Sequence, residues 1–375
     1  MSKEPHRAYS RRTFLRNASA AMLSASIIPF SGCESLVVDP VISGEENFPF
    51  ITPTDSFFAQ FGADGAIADW PGVLQIPRGT WRLAIDGLVD NPISLSLSDI
   101  DSRLDDQVTI ASTLRCILDN NAVPGLVGTA IWTGVPLSLF LNEAGIDLQR
   151  GKRVRVYAAD GFTNNLTLDK LYSPGGGLIE PLLVYLMNGS PLRPEFGAPV
   201  RLLVPGHYGY KSVKWIERIE VTDQDEAFGT YQEVLGYEDD GEIDVHCKST
   251  SILQGARLQP GRTRIAGFAL SGAAGIDKIL VSINDEPAQE ARIKSLNELV
   301  VGESSLQQTV QVNEQFAYPY RGVWTQWELY WDASPGEHTI SITALDAAGH
   351  QQPLDDPDPT NGQNPALSLP VFVEP

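Results

Sequence analysis

The chain has 375 residues and carries 47 acidic against 27 basic side chains, a formal charge of −20. Such a surface repels phosphate backbones and excludes nucleic acid as an expected partner, while a small anion held in a local positive pocket stays open. The length exceeds one average domain and allows two substantial cores.

Residues 1–33 read as an export address rather than as part of the fold. Ser10, Arg11, Arg12, Thr13, Phe14 and Leu15 give a twin-arginine pattern, Arg16 adds charge, and 18–31 is apolar and rich in small residues. That stretch is shorter than the roughly 18 residues that cross a bilayer, and no later segment is longer, so no transmembrane helix is expected in the mature protein. Ser31, Gly32 and Cys33 end it as a lipoprotein processing site would, with Phe30 where a smaller aliphatic residue is usual. Lipidation at Cys33 and ordinary cleavage nearby both stand, and either outcome points to the periplasm, membrane-anchored or free. Without residues 1–32 the chain loses five cations and one anion, which leaves −24.

The mature chain opens with FPFITPTDSFFAQFG from residue 48, where Phe57 and Phe58 anchor the first segment. Alternating residues at 81–85 and 93–97 predict two short strands around the turn at Asp86, Gly87 and Pro92. An apolar, β-branched run from 110 then delivers Cys116 to Asp119, Asn120, Asn121, Pro124 and Gly125, which is loop chemistry. Cys116 therefore sits where a strand ends. A thiol held there can face a cavity as a soft metal ligand or a nucleophile. An inert core cysteine and a disulfide with Cys247 are the rival readings.

Apolar spacing at 135–146 predicts a short helix ending near Gly145. Strands are expected at 153–158, 182–186, 200–204 and 215–221, the last closing an α+β domain. The acidic run 238–242 reads as exposed linker. Beyond it, 252–258, 261–270, 276–283, 324–331 and 338–345 carry the pattern of an all-β sandwich, with Trp324, Trp327 and Trp331 as core or interface residues. The tail, 354–375, is expected to be irregular.

LRC at 114–116, WTGVPL at 132–137, ADGF at 159–162, MNGSPL at 187–192, GAPVRLLVPGHYGYKSVKW at 197–215 and IEVTD at 219–223 occur in this order. Together they resemble the molybdopterin-dependent sulfite oxidase family, in its bacterial branch without a fused haem domain, over residues from about 50 to about 355. The resemblance implies a sulfite-oxidase-like mixed α+β molybdopterin-binding domain at 46–225 and a connector at 226–251. An immunoglobulin-like dimerisation domain would follow at 252–353. It implies Mo-molybdopterin as cofactor with Cys116 as the protein's thiolate ligand to molybdenum. Cofactor-side or substrate-side positions would be Phe58, Asp160, Phe162, Asn164, Arg201, Gly209, Tyr210, Ser212 and Lys214.

The departures from the family pattern bear on substrate. Where sulfite oxidases follow the cysteine with a small residue, Gly, Asn and Arg, this chain has Ile117, Leu118, Asp119, Asn120 and Asn121. Phe196 replaces an expected histidine, and Ala59, Gln60 and Phe61 replace an early Arg, Asn, His segment. Sulfite would lose charge compensation unless Arg115, Arg193 or His207 supplies it. The expectation is a molybdoenzyme performing two-electron or oxygen-atom transfer on a small molecule, inefficient with sulfite, homodimeric, and served by a separate electron-transfer partner. The alternative is a cofactor-poor homologue acting as a binding or structural module.

Overall fold

In the computed structural model, residues 48–59, 72–119, 125–172, 180–300, 318–355, 361–362 and 365–375 are described. The twin-arginine pattern, Cys33, Gln60 and Asn121 lie outside them.

Ten strands build the first unit: β1 Leu83–Gly87, β2 Ile93–Leu95, β3 Val108–Arg115, β4 Val127–Pro136, β5 Arg153–Ala158, β6 Thr163–Thr167, β7 Leu182–Met187, β8 Ser190–Pro191, β9 Arg201–Leu203 and β10 Ile216–Thr222. They form two sheets, one in the order β2-β1-β10-β5-β6 and one in the order β3-β4-β7-β8, with β9 on β7. Leu83, Ile85, Val154, Val156, Ile219 and Val221 share one apolar core with Leu137, Phe140 and Leu141 of the Leu137–Glu143 helix. Gly87 adopts φ 85°, and a Cβ there would run into the Val221 carbonyl, so glycine lets β1 finish against β10. The strand expected to reach residue 97 stops at Leu95. There Ser96 and Asp99 form a capping box that opens the Leu97–Asp101 helix, and this local chemistry overrides the continuing alternation.

β3 is buried on both faces, and its alternation assigns each face a different neighbour. Ile110 and Leu114 pack with Trp132, Leu182 and Val184 inside the first unit. On the other face Ala111 packs with Phe268, Val323 and Trp324 of the second unit, and Thr113 Oγ1 accepts from Trp324 N–H at 2.9 Å. The strand that leads into Cys116 is thus clamped between two cores.

The second unit consists of β11 His246–Ser249, β12 Arg257–Leu258, β13 Gly261–Leu270, β14 Ile276–Ile283, β15 Gln289–Glu290, β16 Arg292–Ile293, β17 Thr325–Ala333, β18 Gly336–Asp346 and β19 Leu367–Val373. Its sheets run β11-β13-β17-β16 and β12-β19-β18-β14-β15. Ile265, Ala269 and Trp327 of one sheet pack against Ile279, Val281, Ile340, Ile342 and Leu369 of the other.

Two expectations are corrected here. The stretch read as connector supplies β11, which pairs with β13 from His246↔Leu270 to Ser249↔Gly267. The tail read as irregular supplies β19, whose Leu367, Leu369, Val371 and Val373 are buried at period two. Pro370 hides that period in the sequence, yet its carbonyl still accepts from Gly255 N–H at 2.7 Å. Cys116 and Cys247 are both free thiols, so the rival disulfide is absent.

Candidate active site

Cys116 follows the last residue of β3 and is partly buried. Its N–H donates to Leu126 O at 2.9 Å, and its carbonyl accepts from Asp119 N–H at 3.0 Å, which turns the chain sharply after the strand. Leu118 N–H points at Sγ from 3.4 Å, a donor that favours negative charge on sulfur. The tip of this loop, 120–124, lies outside the described residues.

The turn between β9 and β10 carries Gly209, Tyr210, Ser212 and Lys214 and meets Arg115, Asn164 and Arg201. Gly209 sits over the Arg115 carbonyl, 3.5 Å from where a Cβ would be, so the backbone passes close beside the Cys116 peptide. Tyr210 accepts through its carbonyl from Asn164 Nδ2, and its phenol donates to Glu238 O at 2.8 Å. Phe162 and Tyr210 each meet the Tyr231 ring, with centroids 5.1 and 5.9 Å away. Ser212 Oγ accepts from Val204 N–H at 2.9 Å, while its carbonyl accepts from Arg201 Nη2 at 2.8 Å. Lys214 Nζ donates to Glu195 O at 3.2 Å and lies 4.6 Å from the Trp215 ring centroid. Asp160 Oδ1 caps Phe162 N–H at 3.0 Å. Phe58 stands apart from this turn, stacked on Phe57 at 5.3 Å in the apolar cluster that also contains Phe196.

Burial shapes the electrostatics of the turn. Burial draws Arg201 down to about 9, and its guanidinium donates to the Phe196 and Ser212 carbonyl oxygens. Burial, with Arg201 as the next cause, lowers Lys214 to about 7. Lys211 falls to about 8 for the same first reason, although Asp239 opposes the shift. Arg201 and Lys211 are buried and Lys214 partly so, their charge is disfavoured where they stand, and an anionic phosphate ester would relieve that cost.

Arg115 and His207, read as alternative substrate cations, are both turned inward. Arg115 is fully buried, donating to Tyr208 Oη at 3.2 Å, Gly362 O at 3.1 Å and Asp119 O at 2.7 Å. His207 accepts at Nε2 from Lys170 Nζ at 2.8 Å and donates from Nδ1 to Pro205 O at 2.8 Å. Burial, followed by the Lys170 charge, lowers it to about 3, so the imidazole is neutral. Arg193 is half-exposed and pairs with Asp55 at 2.6 Å.

The sequence reading did not single out Lys211, Asp239 or Lys248. Lys211 is buried with Nζ 3.2 Å from Asn165 O, inside a network where Arg153 and Asn165 bind Asp239. Its neighbours are too distant in sequence for any local pattern to announce the contact.

The donor set therefore fits a molybdopterin. A sulfur ligand stands at a strand end, the β9–β10 turn passes over the neighbouring Arg115 carbonyl, and the cations of β9 and that turn suit a phosphate. Among the described residues, no group of three or more His, Cys, Asp or Glu is arranged to hold a metal ion. Fold and site together have the features expected of a molybdopterin-binding oxidoreductase domain.

Residues 70–229 match the family model for the oxidoreductase molybdopterin binding domain. The nitrate reductase [NADPH] of Emericella nidulans is 30% identical over 215 residues, covering 52% of this chain and 24% of that protein. A nitrate reductase [NADH] of Brassica napus is 26% identical over 224 residues, covering 54% and 23% respectively. The chain thus spans about a quarter of the length of these curated relatives. Among solved structures, the sulfane dehydrogenase SoxCD from Paracoccus pantotrophus superposes with a TM-score of 0.65 at 21% identity. That match covers 94% of this chain and 98% of the other, and it carries the fold alone.

Proposed function

We propose that the protein is a molybdenum-dependent oxidoreductase that transfers two electrons or an oxygen atom to or from a small molecule. The observation that carries this reading is the Cys116 thiol at the end of β3, whose Arg115 carbonyl Gly209 of the β9–β10 turn approaches, with buried Arg201 on β9 before that turn and partly buried Lys214 at its far end. Molybdenum bound there supplies two-electron redox chemistry and an exchangeable oxygen atom. Cys116 would hold the metal through sulfur. Arg201, Lys214 and the N–H groups of the 209–212 turn would hold the pterin phosphate. Phe162 and Tyr210 would exclude water from the site, which strengthens charge interactions inside it.

The substrate is read as neutral or weakly charged. Sulfite is compact and strongly hydrated, so a site that strips its water must return cations and donors. Phe196 instead belongs to an apolar cluster, and Arg115 and His207 are engaged with protein partners. An uncharged sulfoxide or N-oxide suits that lining better.

The remaining parts of the reading rest on sequence and resemblance. The twin-arginine pattern supports a periplasmic location, and Cys33 supports a lipid anchor. The second unit is read as an immunoglobulin-like sandwich that pairs two chains, and a separate protein would exchange electrons with the centre. One preparation tests the core of this reading: protein purified after native export is assayed for molybdenum and then for sulfite turnover with an artificial acceptor. The expected result is about one molybdenum per chain and a sulfite kcat/KM below roughly 10⁴ M⁻¹s⁻¹, the low end for enzymes. Absence of molybdenum despite an intact maturation system sinks the enzyme reading and favours a binding module. A sulfite kcat/KM near about 10⁶ M⁻¹s⁻¹ overturns the substrate reading.

A further inference from the structure

Asp119 closes the neck of the loop that carries Cys116. Cys116 N–H donates to Leu126 O at 2.9 Å, and Leu126 N–H donates back to Asp119 Oδ1 at 3.0 Å, so the two ends of the loop are tied in both directions. The Asp119 carboxylate is fully buried, and Arg115 Nε lies 3.5 Å from its Oδ2. A further hold comes from the second unit. Lys248 Nζ on β11 donates to Asp119 Oδ1 at 2.8 Å, and His246 Nε2 on the same strand lies 3.6 Å from Oδ2.

We infer that Lys248 is a positioning residue for Cys116: through Asp119, the second β unit fixes the loop that presents the thiol. A buried carboxylate is costly unless cations and donors surround it, and Arg115, Lys248 and Leu126 N–H all reach Asp119 where it stands. Lys248 stands on β11, an outer strand of its sheet, and its side chain crosses to the first unit. The contact therefore depends on how the two units are docked. Docking is itself firm, because Trp324 Nε1 donates to Phe50 O at 2.7 Å and Thr113 N–H donates to Gly322 O at 2.9 Å beside β3. Rigid docking makes a single ammonium group an effective pin for a loop on the other unit. The competing account is that the β3–β4 hairpin alone, through its Arg115↔Val127 pairing, sets the loop.

The catalytic consequence rests on the reading of Cys116 as the metal ligand, whereas the pinning itself is read on the cofactor-free full chain. There, Lys248→Met is expected to raise amide exchange at Leu118, Asp119 and Leu126 by about tenfold or more, the loss of one charge-assisted hydrogen bond. Iodoacetamide should alkylate Cys116 faster in the same variant. Amides of β14 and β18 should be unchanged, and Lys248→Arg should restore most of the protection. In molybdenum-loaded protein, Lys248→Met should also alter the metal-centred absorption. Should Lys248→Met fail to fold, Asp119→Asn keeps an oxygen for Leu126 N–H, weakens the pair with Lys248, and gives the same readout. Loop exchange and alkylation equal to wild type, or exchange raised equally throughout the chain, overturns the inference. Failure of the wild type to bind molybdenum removes only the catalytic consequence, since the exchange result still decides the pin.

Discussion

At His207, burial and the Lys170 ammonium act in the same direction and hold the imidazole neutral, at about 3. In the unfolded chain the same group titrates near 6.5, so between those values the unfolded state binds more protons and stability rises with pH. Stability from this residue is fully present above about 6.5 and is lost as pH falls toward about 3, at up to roughly 1.4 kcal/mol per pH unit. His207→Gln keeps hydrogen-bonding capacity without titrating, and it should flatten the decline of melting temperature below pH 6.5. An unchanged acid limb would show that Lys170 gives way instead. The position of Cys116 could be read from sequence because an apolar run and a loop signal meet there. The fates of Arg115 and His207 could not, because Arg115 binds Gly362 at a separation of 247 residues and His207 meets Lys170 at 37.

Strands with a clean period and a clear stop were legible as elements. The runs at 153–158 and 276–283 appear as β5 and β14 with those same bounds, and the helix predicted at 135–146 occupies Leu137–Glu143. The misses have local causes. Ser96 diverts an alternating run into a helix, Pro370 disguises β19, and β11 is only four residues long with a buried lysine and histidine in it. β11 also defines a test at this scale, since Gly267 on β13 faces the Lys248 carbonyl so closely that a Cβ would collide with it. Gly267→Ala should displace β11 and cost about 1–3 kcal/mol, the range for overpacking a filled space. Denaturant midpoints measure this. A cost below about 0.5 kcal/mol would mean that the strand pair yields freely.

For the molecule as a whole, the pairing of a mixed α+β domain with a two-sheet β unit was legible in the order of motifs and strands. The docking of the units was not, because it depends on β3 being buried on both faces, and a doubly apolar strand reads alike whichever core covers it. The proposed pairing of two chains through the second unit predicts a dimer by light scattering at micromolar concentration. A monomer under those conditions would contradict it. The central claim is that Cys116 binds molybdenum through sulfur, and X-ray absorption at the molybdenum edge compares wild type with Cys116→Ser most directly. The account predicts that the variant folds, loses one thiolate sulfur from the metal's first coordination sphere, shifts its visible absorption and loses turnover, because an alkoxide cannot reproduce thiolate donation. An unchanged sulfur count and an unchanged spectrum in Cys116→Ser would contradict it.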